Sequence, residues 1–239
     1  MMTTATPATT APPGSAEPGT AGSAPASSPR PPAVAAYLEL RDVRWETYEA
    51  LVDDVGEQHV RITYDDGRMV LMPPLPVHDF RKKMIARMIE MTSFVMEVPI
   101  ASYGSTTWKR PDVRKGLEAD ECYYVRNEPF ARGRTEFDLT RDPPPDLAVE
   151  IENTHHPLDR ASVYAGLGVN EIWRHDGRRL EFLRRGADAE YHPIAASDAF
   201  QFLTPADIER HLAMVPTVGE SERIRAFHQW LVSLRAAGR

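Results

Sequence analysis

The chain has 239 residues, a formal net charge of −7 and 42% hydrophobic residues, enough to bury a sizeable core in one or two domains. It shows no run of about eighteen apolar residues and neither the basic start nor the apolar stretch of a secretory signal, so neither a membrane span nor export is expected. One cysteine, Cys122, excludes an internal disulfide framework and a cysteine zinc cluster, and a cytoplasmic setting is the simplest expectation. The acidic balance argues against a broad non-specific nucleic-acid surface but leaves room for a local basic groove.

In chain order, Met1 to Ala35 is rich in Thr, Ala, Pro, Ser and Gly, with Glu17 and Arg30 its only charges. Such a segment has too little apolar surface to offset its ordering entropy, and disorder is expected there. Trp45, Tyr48, Leu51 and Val52 repeat at helical spacing within Val43 to Val55, with Gly56 as the stop. His59–Tyr64 and Arg68–Met72 read as a hairpin about the turn signal Asp65-Asp66-Gly67. Val77 to Met96 carries an apolar stripe (Met84, Ile85, Met88, Ile89, Met91) that predicts a long core helix, with Arg81, Lys82, Lys83 and Arg87 on a solvated face.

Strands are expected over Pro99–Tyr103 and Thr106–Arg110, broken at Gly104, and over Leu117–Val125, where Glu118, Asp120 and Cys122 would share a face. Asn127 to Asp142 reads as a loop. Beyond it, Leu147, Val149 and Ile151 alternate with Asp146, Ala148, Glu150 and Glu152, which predicts a core-like strand with acids along one side. A helical segment and a second strand, Val169–Arg174, follow. Arg179–Arg184 and Tyr191–Ile194 suit edge strands, Thr204-Pro205 opens a helix, and Glu222–Leu234 forms a final amphipathic one.

Carboxylates on a core strand are costly unless they are paired or hold a cation. Asp120, Glu150 and Glu152 together are hard oxygen donors of the kind that suit Mg2+ or Mn2+, and a cation so held can activate water against a phosphodiester. Spacing alone leaves the bland alternative, exposed acids on an edge strand, open. His155-His156 reads as an exposed pair between strand and helix, and Lys109 as a surface strand charge.

Four blocks now carry a resemblance: Gly104-Ser-Thr-Thr-Trp-Lys-Arg110, Gly116-Leu-Glu-Ala-Asp-Glu-Cys-Tyr-Tyr-Val125, Pro145-Asp-Leu-Ala-Val-Glu-Ile151 and Tyr164-Ala-Gly-Leu-Gly-Val-Asn-Glu-Ile-Trp173. In that order, over about Val43 to Leu183, they resemble the Uma-type putative restriction endonuclease family, within the PD-(D/E)XK nuclease superfamily. The resemblance implies an α/β fold with a restriction-endonuclease-like core, a central mixed sheet flanked by helices, over 36–200. A disordered tail over 1–35 and a C-terminal helical extension over 201–239, packed on the core, complete the expected domains.

The resemblance also implies metal-dependent DNA cleavage, with DNA as substrate, no membrane partner and a homodimer left open. By position, Asp120 corresponds to the first metal-binding acid, Glu150 to the acid of the second motif, and Glu152 sits where close relatives often have Asp. Glu90 is an accessory candidate on the first long helix, with His78 beside the family's opening block, and Lys109 a source of an ammonium. Where the family tends to place a lysine, after the second motif strand, this chain has Arg160. A guanidinium can stabilise an anionic transition state but is never deprotonated, so it cannot accept a proton. Three readings follow: a metal-dependent endonuclease using Asp120, Glu150, Glu152 and Arg160; a catalytically silent module of the same fold that binds nucleic acid or a protein; and a phosphoesterase of small nucleotides.

Overall fold

A computed structural model describes residues 37–56, 60–73, 76–152, 156–212 and 217–238, with only the backbone given for 76–79. The expected tail, His155 and the side chain of His78 lie outside the described residues.

Strand β1 (Leu38–Leu40) and helix α1 (Trp45–Val55) precede the hairpin β2 (Arg61–Asp65) and β3 (Arg68–Met72). The register pairs Asp65 with Arg68, so the loop between them is Asp66-Gly67 alone. Both loop residues have positive φ, 40° and 94°, the conformation that matches the twist of the flanking strands. Gly67→Ala is expected to lower stability by about 1–2 kcal/mol, because an L side chain is strained there. A urea unfolding midpoint would show it.

Helix α2 (Pro76–Met96) follows, then β4 (Ala101–Ser102), β5 (Thr107–Arg110), a 3-10 turn (Pro111–Val113), β6 (Lys115–Glu118) and β7 (Glu121–Tyr124). The strand expected over Leu117–Val125 is therefore two strands. The chain leaves one sheet after Glu118 and enters the other at Glu121, so Glu118, Asp120 and Cys122 do not share the face of one strand, and Asp120 stands at the crossing. The loop expected after Asn127 contains a short helix, α3 (Glu128–Ala131). The acidic strand is β8 (Leu147–Ile151), followed by α4 (Arg160–Leu167), β9 (Glu171–His175), β10 (Leu180–Arg185), β11 (Tyr191–Ile194), α5 (Pro205–Leu212) and α6 (Glu220–Ala236).

The five-stranded sheet runs β1-β3-β2-β6-β5 with antiparallel pairs. The six-stranded sheet runs β11-β10-β9-β8-β7-β4 and is mixed, because β8 and β9 are parallel, joined through α4. Only β11 of the two expected edge strands is at the edge; β10 lies inside it.

Burial on the six-stranded sheet follows the alternation of β8. Leu147, Val149 and Ile151 pack with Met84, Ile85, Met88 and Ile89 of α2 and with Phe227 and Leu231 of α6. Ala148, on the opposite face, joins Val163, Tyr164 and Leu167 of α4. Both faces of β8 are covered, as parallel pairs require. The basic residues of α2 are not simply solvated: Lys82 pairs with Glu121 at 3.6 Å, Arg81 donates to the Gly177 carbonyl at 3.1 Å, and Arg87 pairs with Glu220. Thr204 and Asp207 bond reciprocally at the start of α5, as the Thr-Pro start signal predicts.

Candidate functional site

β7 and β8 pair with Glu121 opposite Val149 and Cys122 opposite Ala148. One step further along that register, Asp120 meets the end of β8, and its Oδ2 accepts from the Ile151 backbone N–H at 2.7 Å. Its Oδ1 accepts from Nη1 of Arg61 on β2. Asp120 is 0% exposed, so this guanidinium is its counter-charge. Arg61 also approaches Glu118, at 3.7 Å.

Glu150 is answered by a second guanidinium. Arg160, on the first turn of α4, donates from Nη2 to Glu150 Oε2 at 2.8 Å, and its Nε stands 2.7 Å from Oε1. That Nε lacks the alignment of a hydrogen bond, so the second contact is one of charge alone. Arg160 further donates to Thr63 Oγ1 on β2 and to the Glu118 carbonyl on β6, each at 2.8 Å. It thereby links α4 to both sheets. Tyr164, one turn along α4, donates its hydroxyl to Glu150 Oε2 at 2.8 Å. The placement of Arg160, Tyr164 and Leu167 on one helical stripe is what turns both polar groups toward β8.

Burial pushes the Glu150 carboxyl up to about 7, opposed by Arg160 and reinforced by the charge of Asp120. Arg160 goes the other way. Burial disfavours its charge, but Glu150, Tyr164 and Asp120 together more than offset this and hold the guanidinium protonated. Burial also raises the Glu152 carboxyl, opposed first by Arg174 and then by Arg160.

Glu150, Glu152, Arg61, Arg160 and His156 line one small cleft of about 40 Å³, room for little more than a few waters. His156, from the pair read as exposed, is half-buried with Nδ1 2.9 Å from the Leu158 carbonyl. Among the described residues no three His, Cys, Asp or Glu groups form a cluster that would hold a metal ion. Yet the donor set fits one in kind. It consists of hard carboxylate oxygens, of which Mg2+ commonly uses only one or two beside its waters, and Asp120 is neutralised here by the Arg61 guanidinium.

The accessory candidates fall elsewhere. Glu90 is exposed on α2; burial raises Glu121 and Tyr123, and the Glu90 charge adds a smaller part. Lys109 pairs with Glu49 of α1 at 3.4 Å, which leaves it engaged on the five-stranded sheet. Asp146, at the opposite end of β8, accepts from the Val125 and Asn127 backbone N–H groups at 2.8 and 2.9 Å and holds that loop. Cys122 is buried beside Trp108, whose Nε1 lies 3.2 Å from Sγ, and burial pushes its thiol up to about 12. Sequence reading missed Arg61. Its one signal was an arginine on a strand otherwise filled with buried residues, IleThrTyr at 62–64.

A mixed α/β core of two sheets flanked by helices, with Asp120 at the crossing between them and Glu150 on β8, is that of a restriction-endonuclease-like protein. The family model for Uma2, described as "Putative restriction endonuclease", matches residues 45–215, and the chain belongs to that family. No curated protein gives a significant match to the sequence. Among the described residues no helix is long and apolar enough to cross a membrane.

Proposed function

We propose that the protein is a metal-dependent DNA endonuclease whose reactive centre is formed by Asp120, Glu150 and Glu152, of which Glu150 and Glu152 line the cleft and Asp120 is fully buried. The observation that supports this reading is that Asp120, at the crossing between the sheets, bonds to the Ile151 N–H beside Glu150 of β8, with each of the two acids held by a guanidinium. Asp120, Glu150 and Glu152 would hold the ion. Bound there, Mg2+ or Mn2+ supplies an activated water and neutralises charge building on the phosphate.

The chain's own residues have separable tasks in this scheme. Arg61 covers Asp120 as a tethered cation and gives it up to the incoming one. Arg160 stays on Glu150, fixes its orientation with Tyr164, and contributes positive charge without accepting a proton. Glu152, only partly buried and free of a committed ion pair among the described residues, is the acid that solvent reaches.

Plasmid incubated with purified protein and either metal is expected to be nicked. Glu152→Gln should lower that rate by about 10–100-fold or more while leaving the unfolding midpoint unchanged. Equal nicking by both proteins would refute the assignment. A second reading, a silent module that binds nucleic acid or a protein, is favoured by Arg160 at the lysine position and by Arg61 on Asp120. It requires no turnover with any metal and none after Arg160→Lys.

A further inference from the structure

Arg160 faces the acid cleft from one side of α4; the other side of that helix borders a groove of about 390 Å³. The groove lies between α4, the 3-10 turn joining β5 to β6, and the β10–β11 hairpin. Its walls carry three cations, Arg110, Lys115 and Arg185, in a chain of net charge −7.

Two of these cations are fixed by neighbours. Arg110 donates to the Gly166 carbonyl at 3.1 Å and pairs with Asp112. Lys115 donates to Ser162 Oγ at 3.2 Å and pairs with Asp65. A Cβ on Gly166 would stand 2.2 Å from Lys115 Cδ, so the helix carries a glycine there and the lysine stem lies flat across it. Glycine inside a helix costs about 1 kcal/mol relative to alanine, which makes the seating of Lys115 the physical reason for it.

Arg185 is different. Among the described residues its side chain has no hydrogen-bond or ion-pair partner, and its Nε is closed off from water. A guanidinium keeps its charge and offers five donors, and an enclosed donor without an acceptor costs about 1–3 kcal/mol. Glu190 also lines the groove without pairing with it. Asp112 and Asp65 answer Arg110 and Lys115, so among these three cations it is Arg185 that calls for an anionic ligand.

We propose that this groove binds a phosphoryl anion, with Arg185 as its direct contact and Lys115 and Arg110, each already paired with a carboxylate, beside it, and that the anion is a backbone phosphate of duplex DNA. The source of the phosphate rests on the nuclease reading; the anion site does not. Groove and cleft lie on two faces of one helix about 10–12 Å across. A duplex carrying one charge per about 1.7 Å of axis spans that width with several phosphates.

The test is fluorescence anisotropy of a labelled short duplex with the full chain in EDTA, where no metal-dependent cleavage occurs, between about 50 and 200 mM salt. Arg185→Gln is expected to weaken binding about tenfold and to lower the salt slope by about one. Arg225→Gln, an exposed change on α6, should leave both unchanged. Thermal shift with inorganic phosphate forms the second arm. If phosphate stabilises the wild type but not Arg185→Gln while duplex binding is equal, the anion site stands and DNA as its source is overturned. Equal behaviour of wild type and Arg185→Gln in both arms, or an equal loss in Arg225→Gln, overturns the site itself. Because no cleavage is read, failure of the nuclease assignment leaves these outcomes interpretable.

Discussion

Glu150→Ala is expected to cost about 3–5 kcal/mol at pH 7, because it leaves the buried Arg160 guanidinium and the Tyr164 hydroxyl without the acceptor they share. For a domain of this size that lowers the melting temperature by about 6–20 °C. The loss is not a measure of what the pair contributes net. Glu150→Ala combined with Arg160→Leu should recover much of it, since apolar replacement of a whole buried pair is often neutral or stabilising. The pH dependence has a defined sign. Burial raises the folded carboxyl above its ordinary 4.5, to about 7, so the stability tied to its proton is complete below about 4.5 and lost as pH rises through 7. The gap between wild type and Glu150→Ala should therefore narrow from pH 5 to pH 8. A gap that widens over that range would show the ion pair, not burial, governing Glu150. An inactive Glu150→Ala protein says nothing about catalysis until its folding is measured, which is why Glu152→Gln is the cleaner probe of activity.

Arg61→Met should tighten Mn2+ binding at least tenfold, about 1.4 kcal/mol, by removing the guanidinium that covers Asp120. Electron paramagnetic resonance of free Mn2+ during titration reads this without reference to cleavage. The metal-free variant should also be less stable than wild type, with an uncompensated Asp120. Saturating Mn2+ should then restore about 2.7 kcal/mol at a hundredfold excess over Kd. Unchanged affinity in the variant would mean that Arg61 does not occupy a cation seat, and the silent-module reading would gain.

Local signals carried much of the fold. The Asp66-Gly67 turn, the methionine-rich face of α2, the Thr204-Pro205 helix start and the alternation along β8 each rest on short-range chemistry, and each is present. The division at Ala119-Asp120 was not legible, because a continuous polar–apolar run looks the same whether it serves one sheet or two. β1 escaped for a related reason: three residues with two exposed leucines give no period to read. The candidate acids were visible as acids out of place. Their counter-charges were not, since Arg61 lies 59 positions from Asp120, and which carboxylate it meets is decided by how β2 faces the crossing. Arg185 was hidden likewise: its isolation exists only where α4 and the β10–β11 hairpin close around it.

The crossing of the chain between the sheets has a thermodynamic consequence. Asp120 is covalently on the connecting segment, is bonded to Arg61 from the five-stranded sheet and to Ile151 from the six-stranded one, and has Arg160 bridging both nearby. Neither sheet can come apart while these contacts persist, and each contact is lost once either sheet does. The acid cleft thus acts as a cooperativity element that makes the two sheets melt as a single unit.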